Sequence, residues 1–343
     1  MNLNRKATSF DIAQLAGVSQ PTVSRALRGS TAVSEETRKR VEAIARHLNY
    51  KVDKNASNLR SKHSNTLALL FFEEQGDEDG GHINPFFLSI LESITRTCAR
   101  RGYDLLISFQ QLSDDWHTDY EDSRKADGLI LLGYGDYELY RARLEQLVAQ
   151  GTRFVLWGAS RAGQPGVTVG CDNVQGGYDA AAHLAAQGRR RIAFIGNATS
   201  RYPEFFARFR GYVGALAAHG LERDEALELD ATNSDSDGAA AVRRLIAEGT
   251  GFDAILAASD TVAVGAMRAL KAAGMSVPGD VAVVGFDDIP AARLANPPLS
   301  SVVQDAALAG QHLVDSLIAQ VEGREAEDVL LPARLVVRES SGG

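Results

Sequence analysis

The chain has 343 residues, 45% hydrophobic and 23% charged, an ordinary globular composition with length enough for two or three domains. No apolar run approaches the ~18–20 residues of a membrane span, and the opening MNLNRKATSFDIAQ lacks the apolar stretch and cleavage site of a signal peptide. The two cysteines, Cys98 and Cys171, form no C-x-x-C pair, so no disulfide framework is expected and a reducing cytoplasm fits.

A net charge of −8 conceals an asymmetry. Residues 1–62 carry 12 Lys/Arg against 5 acids, a charge of +7, and the remainder is −15. A basic head on an acidic body points to a head that meets a polyanion.

In chain order, Thr8 is the expected N-cap of a first helix, with Asp11 in a capping-box-like position. Ile12 and Leu15–Ala16 make its apolar face, and Gly17 ends it in a left-handed cap. Val18 packs into the angle that follows. Ser19 caps the second helix, Pro21 falls in its first turn where a missing N–H costs nothing, and Val23, Ala26 and Leu27 form its buried stripe. A third helix begins at Ser34, with Glu35 and Glu36 at the favourable end of its dipole, and turns Val41, Ile44, Ala45 and Leu48 inward. Two short helices around a glycine turn, braced by a third, make an all-α helix-turn-helix over residues 1–50. The exposed side of its second helix carries Gln20, Pro21, Thr22 and Arg25. Gln can pair with adenine N6 and N7, Arg with guanine O6 and N7, and Pro21 offers only apolar contact, for instance to a thymine methyl.

DIAQLAGVSQPTVSRALRG, then VSEETRKRVEAIARHLNY, resembles the DNA-binding headpiece of the LacI/GalR family of bacterial transcriptional regulators over nearly all of residues 8–62. The resemblance implies base-reading positions at Gln20, Pro21 and Arg25, and phosphate or scaffold contacts at Thr8, Ser19, Thr22, Ser24 and Asn49. Residues 51–65, KVDKNASNLRSKHSN, lack a core stripe and read as disordered in isolation. In the family this hinge becomes a helix only on operator DNA, pairs with its dimer mate and pushes a leucine into the minor groove. The matching residue is Leu59, with Ala56 one turn earlier. The family commonly has Pro-Asn after the tyrosine. Here Val52-Asp53 follows Lys51, and a carboxylate near phosphate is unfavourable.

From residue 66 onward, TLALLFF, YDLLISF, DGLILLG, RFVLWG, VTVGCD, RIAFIG, FDAILAAS and VAVVGFDD read as strands. Amphipathic stretches at 86–101, 138–150, 174–187, 205–219, 236–248 and 261–273 read as helices. Such alternation predicts parallel sheets covered by helices, in two α/β lobes. Ligands of open α/β sheets sit at the carboxyl ends of strands, here Gly133, Gly158, Asp172, Gly196, Ser259, Asp260, Asp287 and Asp288.

The stretches NPFF, DGLIL, CDNVQGGYDAAAHL, ARFRGYVGAL, ILAASDTVAVGAM and VAVVGFDDIPAARLANPPLSSVVQD are similar to the family's effector domain, itself like a periplasmic sugar-binding protein. This implies that residues 66–343 form a two-lobed effector-binding and dimerisation domain. The cleft would hold Phe86, Phe87, Arg208, Ser259, Asp287 and Gln304. Aromatic rings stack on sugar faces, and Arg, Asp and Gln orient hydroxyls. Of Phe86 and Phe87, one is expected in the core and the other in the cleft. Trp157 and Gly158 follow the fourth strand, where many relatives carry an acidic residue. Trp157 reads either as core or as an extra stacking platform for a glucoside or disaccharide. Asn233 is a further candidate.

Signals of other chemistry are weak. GDEDGG at 76–81 lacks the spacing of a calcium loop and reads as a solvated surface loop. LLGYGDYELY begins G-x-G, but Glu138 stands where the dinucleotide fingerprint needs glycine. The seven histidines never pair at metal-ligand spacing. Asp287 and Asp288 are adjacent on a strand and point to opposite faces, so they make no acid/base pair. No metal, cofactor or enzyme activity is expected. A solute-binding protein suits the body but not the basic head, and an enzyme would have to turn over the bound sugar through Asp287. The expectation is a cytoplasmic, homodimeric repressor of carbohydrate-utilisation genes, bound to double-stranded operator DNA and released by a small sugar. The tail, LPARLVVRES then Ser-Gly-Gly, shows no leucine heptad, so a dimer is expected rather than a tetramer.

Overall fold

The computed structural model describes residues 7–27, 29–50, 63–72, 83–133, 135–159, 161 and 163–342. The hinge candidates Ala56 and Leu59 and the acidic loop 76–81 lie outside the described residues. The chain divides into two compact units between Ser64 and Asn65.

The first unit contains α1 (Ser9–Ala16), α2 (Gln20–Leu27) and α3 (Glu35–His47). Thr8 and Asp11 form a full capping box: Thr8 Oγ1 accepts from the Asp11 amide at 3.4 Å, and Asp11 Oδ2 accepts from the Thr8 amide at 2.7 Å. Gly17 ends α1 at φ +64°. A Cβ there would meet nothing within 4 Å, so backbone conformation alone asks for glycine. Ser19 Oγ accepts from the Thr22 amide at 3.4 Å, at the start of α2. Ile12, Ala13, Ala16, Val23, Ala26, Val33, Val41 and Ala45 form the core, with Val18, Leu27, Ile44 and Leu48 at its margin. Leu15 departs from expectation and is 56% exposed. The buried face of α1 is centred between Ile12, Ala13 and Ala16, and at 3.6 residues per turn Leu15 lies roughly 110° round from it.

The second unit has two lobes. The first builds a six-stranded, wholly parallel sheet from β1 (Thr66–Phe71), β2 (Asp104–Phe109), β3 (Leu129–Leu132), β4 (Phe154–Trp157), β5 (Val167–Cys171) and, from far along the chain, β11 (Val329–Leu331). Its spatial order is β11-β5-β4-β3-β1-β2. The second sheet, ordered β12-β10-β9-β8-β6-β7, uses β6 (Ile192–Ile195), β7 (Glu228–Leu229), β8 (Ala254–Ala257), β9 (Ala282–Asp287), β10 (Ser300–Val303) and β12 (Arg334–Val336). Only β12 runs antiparallel. Helices α4 (Pro85–Arg101), α5 (Tyr137–Gln150), α6 (Asn173–Ala186), α7 (Pro203–Ala218), α8 (Asp235–Ala247) and α9 (Asp260–Ala272) fall within two residues of the expected stretches. The short α10 (Pro290–Leu294) and the long α11 (Ala306–Val321) were not anticipated. Strands such as β3 and β8 are buried throughout, as two-sided covering demands. Edge strands are less covered, with Leu106 and Ile107 of β2 and Leu330 of β11 exposed. No described helix is long and apolar enough to cross a membrane.

The chain passes between the lobes three times: after β5, after β10, and between β11 and β12. The first two crossings set Asn173 and Gln304 at the boundary between the lobes. Helix α7, which carries Arg208, is pressed against α6 backbone to backbone. A Cβ on Gly177 would sit 2.1 Å from the Arg208 carbonyl, and one on Gly211 would sit 2.1 Å from the Val174 carbonyl. At Gly214 the nearest atom is a Tyr178 ring carbon at 3.7 Å. Gly177→Ala and Gly211→Ala should each destabilise the body by ~1–3 kcal/mol through overpacking. Gly214→Ala should be neutral or stabilise by about 0.5–1 kcal/mol, since alanine is the better helix former. Urea melts of the three variants check this contrast.

Candidate functional site

In the head, α2 presents its first turns outward. Pro21 and Arg25 are exposed, while Gln20, Thr22 and Ser24 are half-buried. Gln20 Nε2 donates to Ser9 Oγ at 3.3 Å, and the Ser19 and Thr22 hydroxyls bond each other at 2.9 Å. Thr8 is committed to the α1 cap. Asn49 is exposed at φ +47° in the turn that ends α3. The expected base-reading residues therefore lie on one helix, Gln20 and Pro21 opening it and Arg25 in its last turn.

In the body, Arg208 is fully buried. A buried guanidinium needs partners for its donors and its charge. Nε donates to Asn173 Oδ1 at 2.8 Å, Nη1 donates to the Ala258 carbonyl, and Nη2 lies 3.6 Å from Asp287 Oδ1. The guanidinium carbon stands 3.8 Å from the centre of the Phe286 ring, a cation–π contact. Gln304 Nε2 donates to Asp287 Oδ1 at 2.6 Å. Arg208, Asp287 and Gln304, expected together, are brought together.

Asp287 closes β9 at φ +112°, a strained conformation for a side-chain-bearing residue. Its Oδ2 is buried and completes no hydrogen bond among the described residues. The same holds for Nδ2 of Asn84, whose Oδ1 caps α4 by accepting from the Phe86 amide at 2.9 Å. Asn84, in the first lobe, acts on the Asp287 carboxyl of the second as a hydrogen-bond donor. Burial pushes the Asp287 carboxyl up to about 6, against the opposing pull of Arg208 and then of Gln304 and Asn84.

Behind it, Asp260 on α9 is fully buried and held well above the usual carboxylate range by burial and by the Asp287 charge. It accepts from the Ser301 hydroxyl at 2.6 Å and the Ile289 amide at 2.8 Å. Asp288, just past the end of β9 at φ +50°, turns the other way, to Arg338 at 2.7 Å and Arg293 at 3.3 Å; the left-handed backbone there, not strand alternation, sets its direction.

Other expected residues take different places. Phe86 and Phe87 are both buried, at 1% and 4% exposure, and both join the core of the first lobe. The expected division between core and cleft is not observed, because both rings pack among Ile90, Trp157 and their neighbours in that core. The Phe86 ring centre is 5.5 Å from those of both Phe87 and Trp157. Trp157 is a core residue that also lines a pocket partly open to solvent. The Ser259 hydroxyl caps α9, accepting from the Val262 amide at 3.3 Å, so it secures a helix end. Gly133 and Gly135 wall the pocket because a Cβ on either would strike Phe72, at 2.5 and 2.1 Å. Packing, not phosphate binding, accounts for that partial fingerprint. No group of three potential metal ligands occurs among the described residues.

Asn84, Asn173, Glu204 and Phe286 were missed as site residues. Asn173 directly follows a strand end, so the strand-end rule could have found it. Glu204 reads in sequence as an ordinary first-turn acid.

A pH dependence follows from Asp287. Below about pH 4 it is neutral in the folded and unfolded chains alike. Between about 4 and 6 the unfolded chain ionises there while the folded chain keeps its proton, so this group withdraws stability as pH rises, and above 6 its effect is constant. Asp287→Asn, which cannot ionise, should gain stability relative to wild type across that window. Urea melts at pH 4 and 7 would contradict this if the gap between the proteins did not move.

Residues 10–53 match bacterial regulatory proteins of the lacI family, and residues 181–341 match a periplasmic binding protein-like domain. The HTH-type transcriptional regulator CelR of Thermobifida fusca is 32% identical over 99% of this chain and all of its own. The HTH-type transcriptional regulator AscG of Escherichia coli K12 is 30% identical over 92% of each chain. Among solved structures, a CelR–cellobiose complex superposes with a TM-score of 0.71 at 32% identity, covering 97% of this chain and 99% of that one. The lac repressor dimer bound to operator and the anti-inducer ONPF gives a TM-score of 0.84 at 25% identity, covering 98% and 99%. A helix-turn-helix head and a two-lobed α/β body, with likeness over its full length to such regulators, make this chain a transcriptional regulator that belongs to the LacI family.

Proposed function

We propose that this regulator is a repressor of carbohydrate-utilisation genes, released from its operator by a neutral disaccharide of the cellobiose kind bound between its lobes. The carrying observation is the buried polar cluster of Arg208, Asp287 and Gln304 at the strand ends of the second lobe, with Asn84 of the first lobe acting on the same carboxyl. A sugar hydroxyl is both donor and acceptor and suits such a cluster. The CelR complex with cellobiose supports the sugar class, and the lac repressor dimer on operator supports a dimer that reads paired half-sites.

In this reading Gln20, Pro21 and Arg25 contact base edges, and Thr8, Ser19, Thr22, Ser24 and Asn49 contact phosphate or brace the helix. Residues 51–65 are the hinge, with Leu59 and Ala56 facing the minor groove. For the sugar to release DNA, it must bind the weak-DNA state better, by a coupling of typically ~1–3 kcal/mol.

A thermal-shift screen of mono- and disaccharides tests the ligand. At 100 times its dissociation constant a sugar adds about 2.7 kcal/mol of stability. Arg208→Ala should abolish that shift and leave sugar-free DNA binding intact. A full shift in that variant contradicts the cleft assignment. On DNA, Arg25→Ala should cost ~1–3 kcal/mol on the best duplex selected from a random library and relax preference at one base pair. Wild type that binds the selected duplex no better than random DNA across salt concentrations would end the proposal.

A further inference from the structure

We infer that Ser9 is a positioning residue for DNA reading: its hydroxyl holds the Gln20 side-chain amide so that the head prefers adenine to guanine at the base pair Gln20 meets. This rests on the proposal above that Gln20 contacts a base edge. Ser9 opens α1 and Gln20 opens α2, and Gln20 Nε2 donates to Ser9 Oγ at 3.3 Å across the angle between the helices.

Other residues do the capping at both helix starts, so the two side chains are left to each other. At α1, Asp11 Oδ2 accepts from both the amide and the hydroxyl of Thr8 at 2.7 Å, which closes the capping box without Ser9. At α2, Ser19 Oγ accepts from the Thr22 amide and bonds the Thr22 hydroxyl, which leaves Gln20 no capping duty. Ser9 and Gln20 are half-buried, whereas Pro21 and Arg25 on the same reading helix are exposed. Ile12, Ala13 and Ala16 of α1 share a core with Val23 and Ala26 of α2, so the hydroxyl is an anchor fixed relative to the reading helix.

The consequence for base choice follows from donor counting. A glutamine amide carries two N–H donors and one acceptor oxygen. With one N–H on Ser9, the oxygen and the second N–H remain for DNA. That pair complements adenine, whose major-groove edge offers the N6 donor and the N7 acceptor. Guanine offers two acceptors, O6 and N7, and a glutamine that bonds both must spend both N–H groups. To do so here it must give up Ser9. An intramolecular hydrogen bond surrendered in this way is worth roughly two- to tenfold in binding. Without the hydroxyl, the amide turns about its terminal torsion, a broad two-fold rotor, and serves either purine. The tether also removes, before DNA arrives, part of the rotamer freedom that glutamine must lose in the groove.

Duplexes selected from a random library by the full, sugar-free chain test the tether. The Gln20 base pair is the one whose preference disappears in Gln20→Ala. At that pair wild type should bind the adenine duplex about tenfold more tightly than the same duplex with guanine there. Ser9→Ala should narrow this ratio by about threefold or more and leave binding to random duplex unchanged. Alanine is the better helix former, so this variant should melt no lower than wild type. Ser9→Thr keeps a hydroxyl and should retain the ratio. In a Gln20→Ala background, Ser9→Ala should change nothing further, since the two residues act as one pair. An unchanged ratio in Ser9→Ala, or a wild type that prefers guanine, overturns the inference. Equal losses on adenine, guanine and random duplexes also overturn it, because they would make Ser9 a phosphate contact or a brace. If Gln20→Ala alters preference at no base pair, the base-reading role of Gln20 falls and this inference with it.

Discussion

A full positive charge sits in the interior of the second lobe, and the architecture around it answers that charge. Removing an ion from water costs several kcal/mol unless geometry returns it. Arg208 recovers it from an amide at the first interlobe crossing, a carbonyl after β8, a carboxylate at the end of β9 and the face of Phe286. Each partner lies at the carboxyl edge of a parallel sheet or on a connection leaving it. The glycines of α6 and α7 serve the same end, since only backbone-to-backbone packing sets Arg208 this deep. Removing one partner would leave another buried and unpaired, so these residues act as a unit.

That unit extends to the other lobe, where Asn84 acts on the Asp287 carboxyl as a hydrogen-bond donor. Among the described residues, connections between the lobes include three chain crossings, the contact of Glu204 with the Ala159 amide, polar contacts of Asp136 and Tyr137 with Arg201, and Ile289 packed into the core of the first lobe.

Much of this was legible in the sequence. The caps at Thr8, Ser19 and Ser34, the glycine stop at Gly17 and the βα alternation are local, and six body helices fell within two residues of their expected bounds. Helix α11 escaped notice because it packs into the first lobe, with Leu313, Val314, Leu317 and Ile318 all buried, and lacks a clean polar face. Edge strands β7, β11 and β12 are two or three residues long, too short for a period to show. Of the site, Arg208, Asp287 and Gln304 came through resemblance. Asn84 and Glu204 did not, because a capping Asn and a first-turn Glu have sufficient local reasons to exist.

By itself the sequence determined where helices and strands begin and end, which unit is basic, and which strand ends carry polar groups, since these depend on neighbours within about one helical turn. Tertiary structure decided the rest. It buried both Phe86 and Phe87, exposed Leu15, gave Ser259 to a helix cap, and turned a partial phosphate-loop motif into a seat for Phe72. It also joined Arg208 to Asn173 across 35 residues and Glu204 to Ala159 across 45. A residue's burial and partner are properties of the surface packed against it, and that surface comes from elsewhere in the chain.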